Sequence, residues 1–331
     1  MEDKINKLLF DVQQLAEEDL DKVIAFVLGI LKLTQSLPSR PKCPHCGASY
    51  VIKWGFKNGS QRFKCRECNR TFEYSTGTIA AYSHYSLATW SEFIHDTIKA
   101  ESLDSSAEKL GFSHQTAFNM RHKVLLALQD LSESDPAILS DTVELDETFV
   151  LDCYKGAKLP ESVNREPRKH GAKAVKKGIS SEYVAICAGV QRDGEAMASS
   201  ANRAKPSKEE LASIFNGHIA SNALVLTDGL RSYRILEETT NCTVVDINRE
   251  GRRGLFNLNA VSSFHSYIKA TYKQFRGVAT KYLNRYNALF SAAFRYANDT
   301  VSSLYDSFCK TGRCSCWHGL KDVRTLNLLA I

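Results

Sequence analysis

Apolar and polar positions along this chain fall into blocks whose period changes. In residues 1–36, Leu8, Leu9, Val12, Leu15 and Ala16 recur at helical spacing. Val23 to Leu31 is apolar throughout, the pattern of a helix buried on all sides or packed on a second copy. Leu37-Pro38-Ser39-Arg40-Pro41 predicts a linker. Helical spacing returns from Leu87 to Leu131, and Ser132 to Pro136 breaks it. Beyond that break the period shortens to two. Val143 to Val150 reads as a strand, followed by Tyr183 to Val190 and Ala196 to Ala201 joined around Asp193-Gly194. Ser207-Lys-Glu-Glu210 is a capping box that opens a helix to about Ile219. Ala223 to Thr227 and Cys242 to Ile247 read as strands around a short helix, and a long helix runs from near Asn259 to about Phe275. The expected order of this region is βββαβαβα, within a multidomain α/β chain.

Composition narrows the class. Apolar residues make up 43% of the 331 residues, enough for a core, which excludes wholesale disorder. The longest apolar run, Val23 to Leu31, is too short for a bilayer span of about 20 residues. The acidic, polar start lacks the pattern of a signal peptide, so an intracellular protein is expected. Its ten cysteines are then expected to be reduced, which makes metal binding the question to ask of them.

The net charge of +6 is strongly segregated. Residues 1–36 are acidic. Residues 37–82 hold eight Lys+Arg against Glu67 and Glu73; residues 155–177 hold eight against Glu161 and Glu166; residues 249–281 hold seven against Glu250. Three separated basic blocks suit an extended polyanion better than a small anionic substrate.

Cys43-Pro-His-Cys46 and Cys65-Arg-Glu-Cys68 form two C-x2-C pairs with the spacing of a structural Zn²⁺ site. Gly47 permits the tight turn of the first knuckle. Lys53, Trp54, Phe56, Lys57, Arg62 and Phe63 between the pairs suit a β-ribbon facing nucleic acid, and His45 reads as a surface residue. Further on, Ser105 to Ser113 and His114 to Leu128 read as a short helix, a turn at Gly111 and a capped longer helix. Ala117, Met120, Val124 and Leu128 line one stripe of the second helix. That leaves His114, Gln115, Asn119, His122 and Lys123 towards solvent, as candidates to meet base edges in a helix-turn-helix.

Asp146 lies mid-strand on one face with Glu144 and Thr148; in a regular strand Glu147 faces away with Val143, Leu145 and Phe149. Asp228 ends a buried strand before Gly229, at the carboxyl edge where α/β sites form. Two strand-borne aspartates brought together suit Mg²⁺, a hard cation.

The ordered run of these motifs resembles the zinc-ribbon group of bacterial insertion-sequence transposases. It comprises Cys43…Cys46…Cys65…Cys68, Arg70-Thr-Phe, Thr76-Gly-Thr-Ile79, the helix pair, Val143 to Phe149, Leu226-Thr-Asp-Gly-Leu-Arg-Ser-Tyr233, and Phe256-Asn-Leu-Asn259 with Lys269. The resemblance implies a ribonuclease-H-like catalytic domain with a DDE-type triad, in which Asp146 and Asp228 match the first two acids. Lys269 matches the basic residue two helical turns beyond the third. That third slot falls at Ser262, where the family has Glu or Asn, and His265 or Asn259 are the alternative donors. Ser262, His265 and Lys269 share one helix face.

The implied activity is cleavage at element ends and strand transfer into target DNA, dependent on Mg²⁺ or Mn²⁺. The implied partners are double-stranded DNA, as terminal inverted repeats and target, and further copies of the chain, with no membrane. A cytoplasmic, nucleoid-associated location in a bacterium follows from the same resemblance. Ser262 leaves open whether the site works with a neutral third ligand or whether the chain is a non-catalytic DNA-binding derivative. The expected domains are an N-terminal helical segment (1–38), zinc ribbon (39–82), helix-turn-helix (83–135), catalytic domain (136–300) and tail (301–331). In that tail Cys309, Cys314, Cys316 and His318 cluster without a recognisable metal geometry, while Cys153, Cys187 and Cys242 read as small buried residues.

Overall fold

The computed structural model describes residues 40–295, apart from 58, 135, 162, 164, 167, 169–172, 193, 251–253, 255 and 276. The expected N-terminal helix and the Cys309, Cys314, Cys316 and His318 cluster lie outside the described residues. The described chain divides into two units, 40–94 and 95–295, with the boundary inside helix α1 (Leu87–Ile98).

In the first unit, strands β1 (Val51–Lys57) and β2 (Ser60–Cys65) pair antiparallel, and β3 (Thr71–Glu73) adds to the other side of β2. A sheet this small cannot enclose a core by itself. Its interior is Cys43, Val51, Phe63, Cys65 and Phe72, so the two knuckles supply part of the packing. Phe63 stacks on Phe72 at 5.6 Å and meets Tyr74 edge-on at 4.8 Å. It is fully buried, not on the outer face where the sequence placed it. Period two explains this: Phe63 lies two residues before Cys65 and shares its inward face. Trp54 and Phe56 do remain exposed, and Lys64 sits over the Trp54 ring at 4.7 Å.

The second unit opens with α2 (Leu103–Leu110), capped by Ser102, which turns through Gly111 into α3 (His114–Ser134). A sheet follows in the order β6-β5-β4-β7-β8, where β4 is Thr142–Leu151, β5 Tyr183–Gln191, β6 Ala196–Arg203, β7 Leu224–Thr227 and β8 Thr243–Asp246. The first three strands are antiparallel; β7 and β8 run parallel to β4. Helices α4 (Lys208–Phe215) and α5 (Ile235–Thr240) pack Leu211, Phe215 and Leu236 against Val143, Leu145 and Cys187 on one face. After the short α6 (Ile247–Glu250), helix α7 (Asn259–Gln274) lies on β4 and β5, and α8 (Leu283–Arg295) lies on β6 and α3. Helices on both faces explain why β5 is buried along nearly its whole length.

This is the βββαβαβα succession expected for a ribonuclease-H-like domain. Two details differ from the sequence expectation. Helix α4 stops at Phe215, because Asn216 is extended and Gly217 has φ +76°, and Ile219 instead bridges Leu139. Helix α8 was not foreseen. Its aromatic-rich sequence, Leu-Asn-Arg-Tyr-Asn-Ala-Leu-Phe, becomes helical by packing Tyr286, Leu289 and Phe290 inward.

Candidate active site and cysteine cluster

Register brings the two aspartates together. Strand β7 pairs with β4 through Thr142–Leu224, Val143–Val225 and Glu144–Leu226. Extending that register by two residues sets Asp146 level with Asp228. Ladder pairing ends there, because Gly229 turns the chain with φ +93°. A side chain at 229 would be strained, and its Cβ would lie 2.6 Å from Asp246 Oδ1. The turn is tied further, as Asn248 Nδ2 donates to the Asp228 carbonyl and the Asn248 amide donates to Asp246 Oδ1 at 2.9 Å.

Carboxylate oxygens of Asp146, Glu147 and Asp228 lie within 4.8 Å of one another. Glu147 was expected on the opposite face. It starts there, opposite Cys187 and beside Tyr233, but its side chain reaches the pair where β7 has ended. A strand edge without a neighbour gives it that path. Two adjacent acids at such an edge are the signal that would have found it. Burial, then the charge of Asp228, pushes Asp146 up to about 6; burial, then Asp146, pushes Glu147 up to about 7. The cluster therefore concentrates negative charge that a divalent cation would relieve. Its oxygen-only donor set, at this spacing, fits Mg²⁺ or Mn²⁺.

Helix α7 supplies the remaining candidates. His265 is buried, with Nδ1 3.6 Å from Asp146 Oδ2, and burial followed by Lys269 lowers it to about 4. The ring is thus neutral near pH 7, and among the described residues its Nε2 has no hydrogen-bond partner. Lys269 is exposed, and its charge acts on both Asp146 and His265. Ser262, in the third-acid slot, is exposed, and its hydroxyl forms no hydrogen bond among the described residues. Beyond Lys269 a cavity of about 1230 Å³ opens, lined by Lys155, Lys158 and Lys273 together with Tyr154 and Tyr183. Arg165 and Arg168 line the same cavity but are paired: both bind the buried Asp152, and Arg168 also binds Glu182.

The sulfurs of Cys43, Cys46, Cys65 and Cys68 lie within 4.8 Å of one another, with Cys43–Cys68 and Cys46–Cys65 both at 3.6 Å. Tetrahedral Zn–S bonds near 2.3 Å place sulfurs roughly 3.8 Å apart, so this donor set fits Zn²⁺. Backbone N–H groups of Cys68 and Glu67 stabilise the Cys65 thiolate and bring it down to about 7. Gly47 takes φ +75° in the first knuckle, and His45 is exposed. Cys187 and Cys242 are buried as expected, whereas Cys153 is half-buried.

On α3, His114 and Gln115 are exposed and Asn119 and Lys123 are half-buried. His114 Nδ1 pairs with Asp104 Oδ1 at 2.6 Å, and Gln115 donates to Asn119 at 3.0 Å. His122 is a correction. It is 1% exposed, held between the rings of Phe118 and Tyr282 at 4.4 Å each, and burial pushes it down to about 3. The single-stripe reading assumed one packing partner, but α3 meets α2 on one side and α8 on another, which widens its buried face.

Among the described residues, no helix is long and apolar enough to cross a membrane. A protein described as an uncharacterized protein in transposable element ISH50 of Halobacterium salinarum is 27% identical over 257 residues, which is 75% of this chain and 83% of that one. A pre-cleavage Mos1 transpososome structure aligns at 11% identity over 67% of this chain and 78% of its own, with a TM-score of 0.26. A Mos1 strand transfer complex aligns at 13% identity over 69% and 78%, with a TM-score of 0.27. Residues 138–297 match the ISXO2-like transposase domain across the sheet and helices that hold Asp146, Asp228 and Lys269, so this part of the chain is an ISXO2-like transposase domain.

Proposed function

We propose that the chain is a DNA transposase that cleaves DNA at the ends of an insertion sequence and joins those ends to target DNA. The observation that carries this reading is the convergence of Asp146 and Asp228 with Glu147 beneath His265 and Lys269. Asp146 and Asp228 would hold Mg²⁺ or Mn²⁺, with Glu147 beside them. A divalent cation in such a site supplies charge neutralisation at the scissile phosphate and a more acidic water. His265, uncharged at neutral pH, accompanies Asp146 without adding positive charge. Lys269 binds a phosphate oxygen of the strand being cut. Its amine and the lysines around the neighbouring cavity fix the backbone in place, and phosphoryl transfer gains most from positioning and charge stabilisation. Water displaces the 3′ oxygen from phosphorus in cleavage. The freed 3′-hydroxyl then attacks a target phosphate, whose own 3′ oxygen leaves with the proton.

Cys43, Cys46, Cys65 and Cys68 hold a structural Zn²⁺ in this proposal. The 39–82 ribbon and the α2–α3 pair within 83–135 contact double-stranded DNA; His114, Gln115, Asn119 and Lys123 are the α3 residues that meet it, and the buried His122 does not. Residues 136–300 form the catalytic domain, and several copies act together on paired ends. The exposed, unbonded Ser262 hydroxyl favours a second reading, in which the chain binds such DNA without cutting it. The deciding experiment incubates the chain with its matching terminal repeat and Mn²⁺ or Mg²⁺. Metal-dependent nicking that disappears in Asp146→Ala and Asp228→Ala is the expected result. DNA binding by the wild type without any nicking would establish the second reading.

A further inference from the structure

One buried carboxylate of the catalytic sheet has no part in the chemistry above. Glu144 stands on β4 two residues before Asp146 and on the same face, and it is 1% exposed. Its Oε1 accepts a hydrogen bond from Arg192 Nε at 2.7 Å. Its Oε2 accepts the backbone N–H groups of Ala260 at 2.8 Å and Val261 at 3.1 Å. Those amides belong to the first turn of α7, where no residue of the helix can bond them and where Leu258, at the cap position, offers no side-chain acceptor. Arg192 completes the junction by donating through Nη2 to the Asn257 carbonyl at 3.0 Å. A strand, the β5–β6 turn and a helix start are thus joined through one carboxylate.

We propose that Glu144 is the positioning residue of the site: it caps α7 from β4 and so holds His265 and Lys269 over Asp146. The geometry is that of two rails. From Ala260 to His265 the helix rises about 7.5 Å. From Glu144 to Asp146 the strand advances about 6.7 Å. The two advance nearly together, so the Glu144–Ala260 contact sets the level at which His265 meets Asp146 at 3.6 Å. Capping by a charged acceptor also opposes the partial positive charge of the helix start, which strengthens the contact. Without it, α7 is free to slide or turn on the sheet, and the third-ligand face moves with it.

This inference rests on the proposed reading of the Asp146–Asp228 site, and its test separates the two. Full-length wild type, Glu144→Ala, Glu144→Gln and Glu144→Asp are compared for amide hydrogen exchange, DNA affinity and single-turnover nicking of end DNA with Mn²⁺. Glu144→Ala is expected to expose the Ala260 and Val261 amides and to slow nicking by on the order of tenfold to a hundredfold, with DNA affinity within about twofold. Glu144→Gln restores protection and part of the rate, because its carbonyl accepts the same two amides while its NH2 group faces Arg192 Nε and forfeits that bond. Glu144→Asp, which keeps the charge but is one methylene shorter, sides with alanine and serves if the alanine variant does not fold. A folded alanine or aspartate variant with wild-type nicking overturns the proposal. So does a parallel fall in rate, DNA affinity and melting temperature that glutamine does not rescue. If the wild type nicks nothing, the catalytic reading fails by itself; unchanged exchange at Ala260 and Val261 in Glu144→Ala would then still refute the cap.

Discussion

At the scale of single residues, the acidic cluster makes a signed prediction. Asp146 and Glu147 sit at about 6 and about 7 against ordinary values of 3.8 and 4.5, so the folded, metal-free protein holds more protons than the unfolded chain between those limits. Its stability should therefore rise as pH falls from 8 to 5, and Asp146→Asn should flatten that slope; urea titrations across the range measure it. Metal must displace those protons, so Mn²⁺ affinity is expected to climb as pH rises from 5 to 8, as calorimetry would show. A stability that instead falls steadily below pH 7 contradicts the placement of these acids. Ser262→Glu addresses the missing third carboxylate: it should tighten Mn²⁺ binding and raise nicking at least about tenfold if the helix face points at the pair. Asp146 and Asp228 were legible in the sequence because each follows from its strand. Glu147 was not, since strand alternation puts it on the wrong face and only the early end of β7 lets it return.

Elements carry a second pair of predictions. The 40–94 unit takes part of its core from Cys43 and Cys65, so chelation of Zn²⁺, or Cys65→Ser, should unfold this unit. Thermal melts should then lose one transition, while near-ultraviolet circular dichroism of residues 95–295 persists. On α3, His122 is a packing residue and Gln115 an exposed one. His122→Ala should cost about 1–3 kcal/mol of stability in denaturant titrations, through the cavity left between Phe118 and Tyr282. Gln115→Ala should leave stability unchanged and weaken DNA binding in a gel-shift titration. The reverse pattern would refute the assignment of the α3 face. The helix itself was readable from its spacing and from Gly111. Which side of it would be covered by α8 was not, because the two helices are separated by the whole sheet in sequence.

Across the whole molecule, the segregated charge predicts salt-sensitive DNA binding. The logarithm of affinity should fall with the logarithm of salt concentration at a slope near −0.9 per phosphate contacted, and Lys158→Ala and Lys273→Ala should each reduce that slope by about 1. An unchanged slope in both variants would remove the cavity rim from the DNA path. Arg165 and Arg168 also line this cavity, but Asp152 and Glu182 already neutralise them, so they should add less to that slope. Local spacing determined the four-cysteine set, the five strands of the second unit and most of its helices, because each is written in a period or a short motif, while the resemblance singled out the two aspartates as a pair. Only the tertiary structure decided that Glu147 joins the pair, that His122 is interior, and that Glu144 caps α7. Those outcomes depend on contacts with Asp228, Tyr282 and Ala260, each 80 or more positions away along the chain, and a local pattern contains no term for a neighbour that distant.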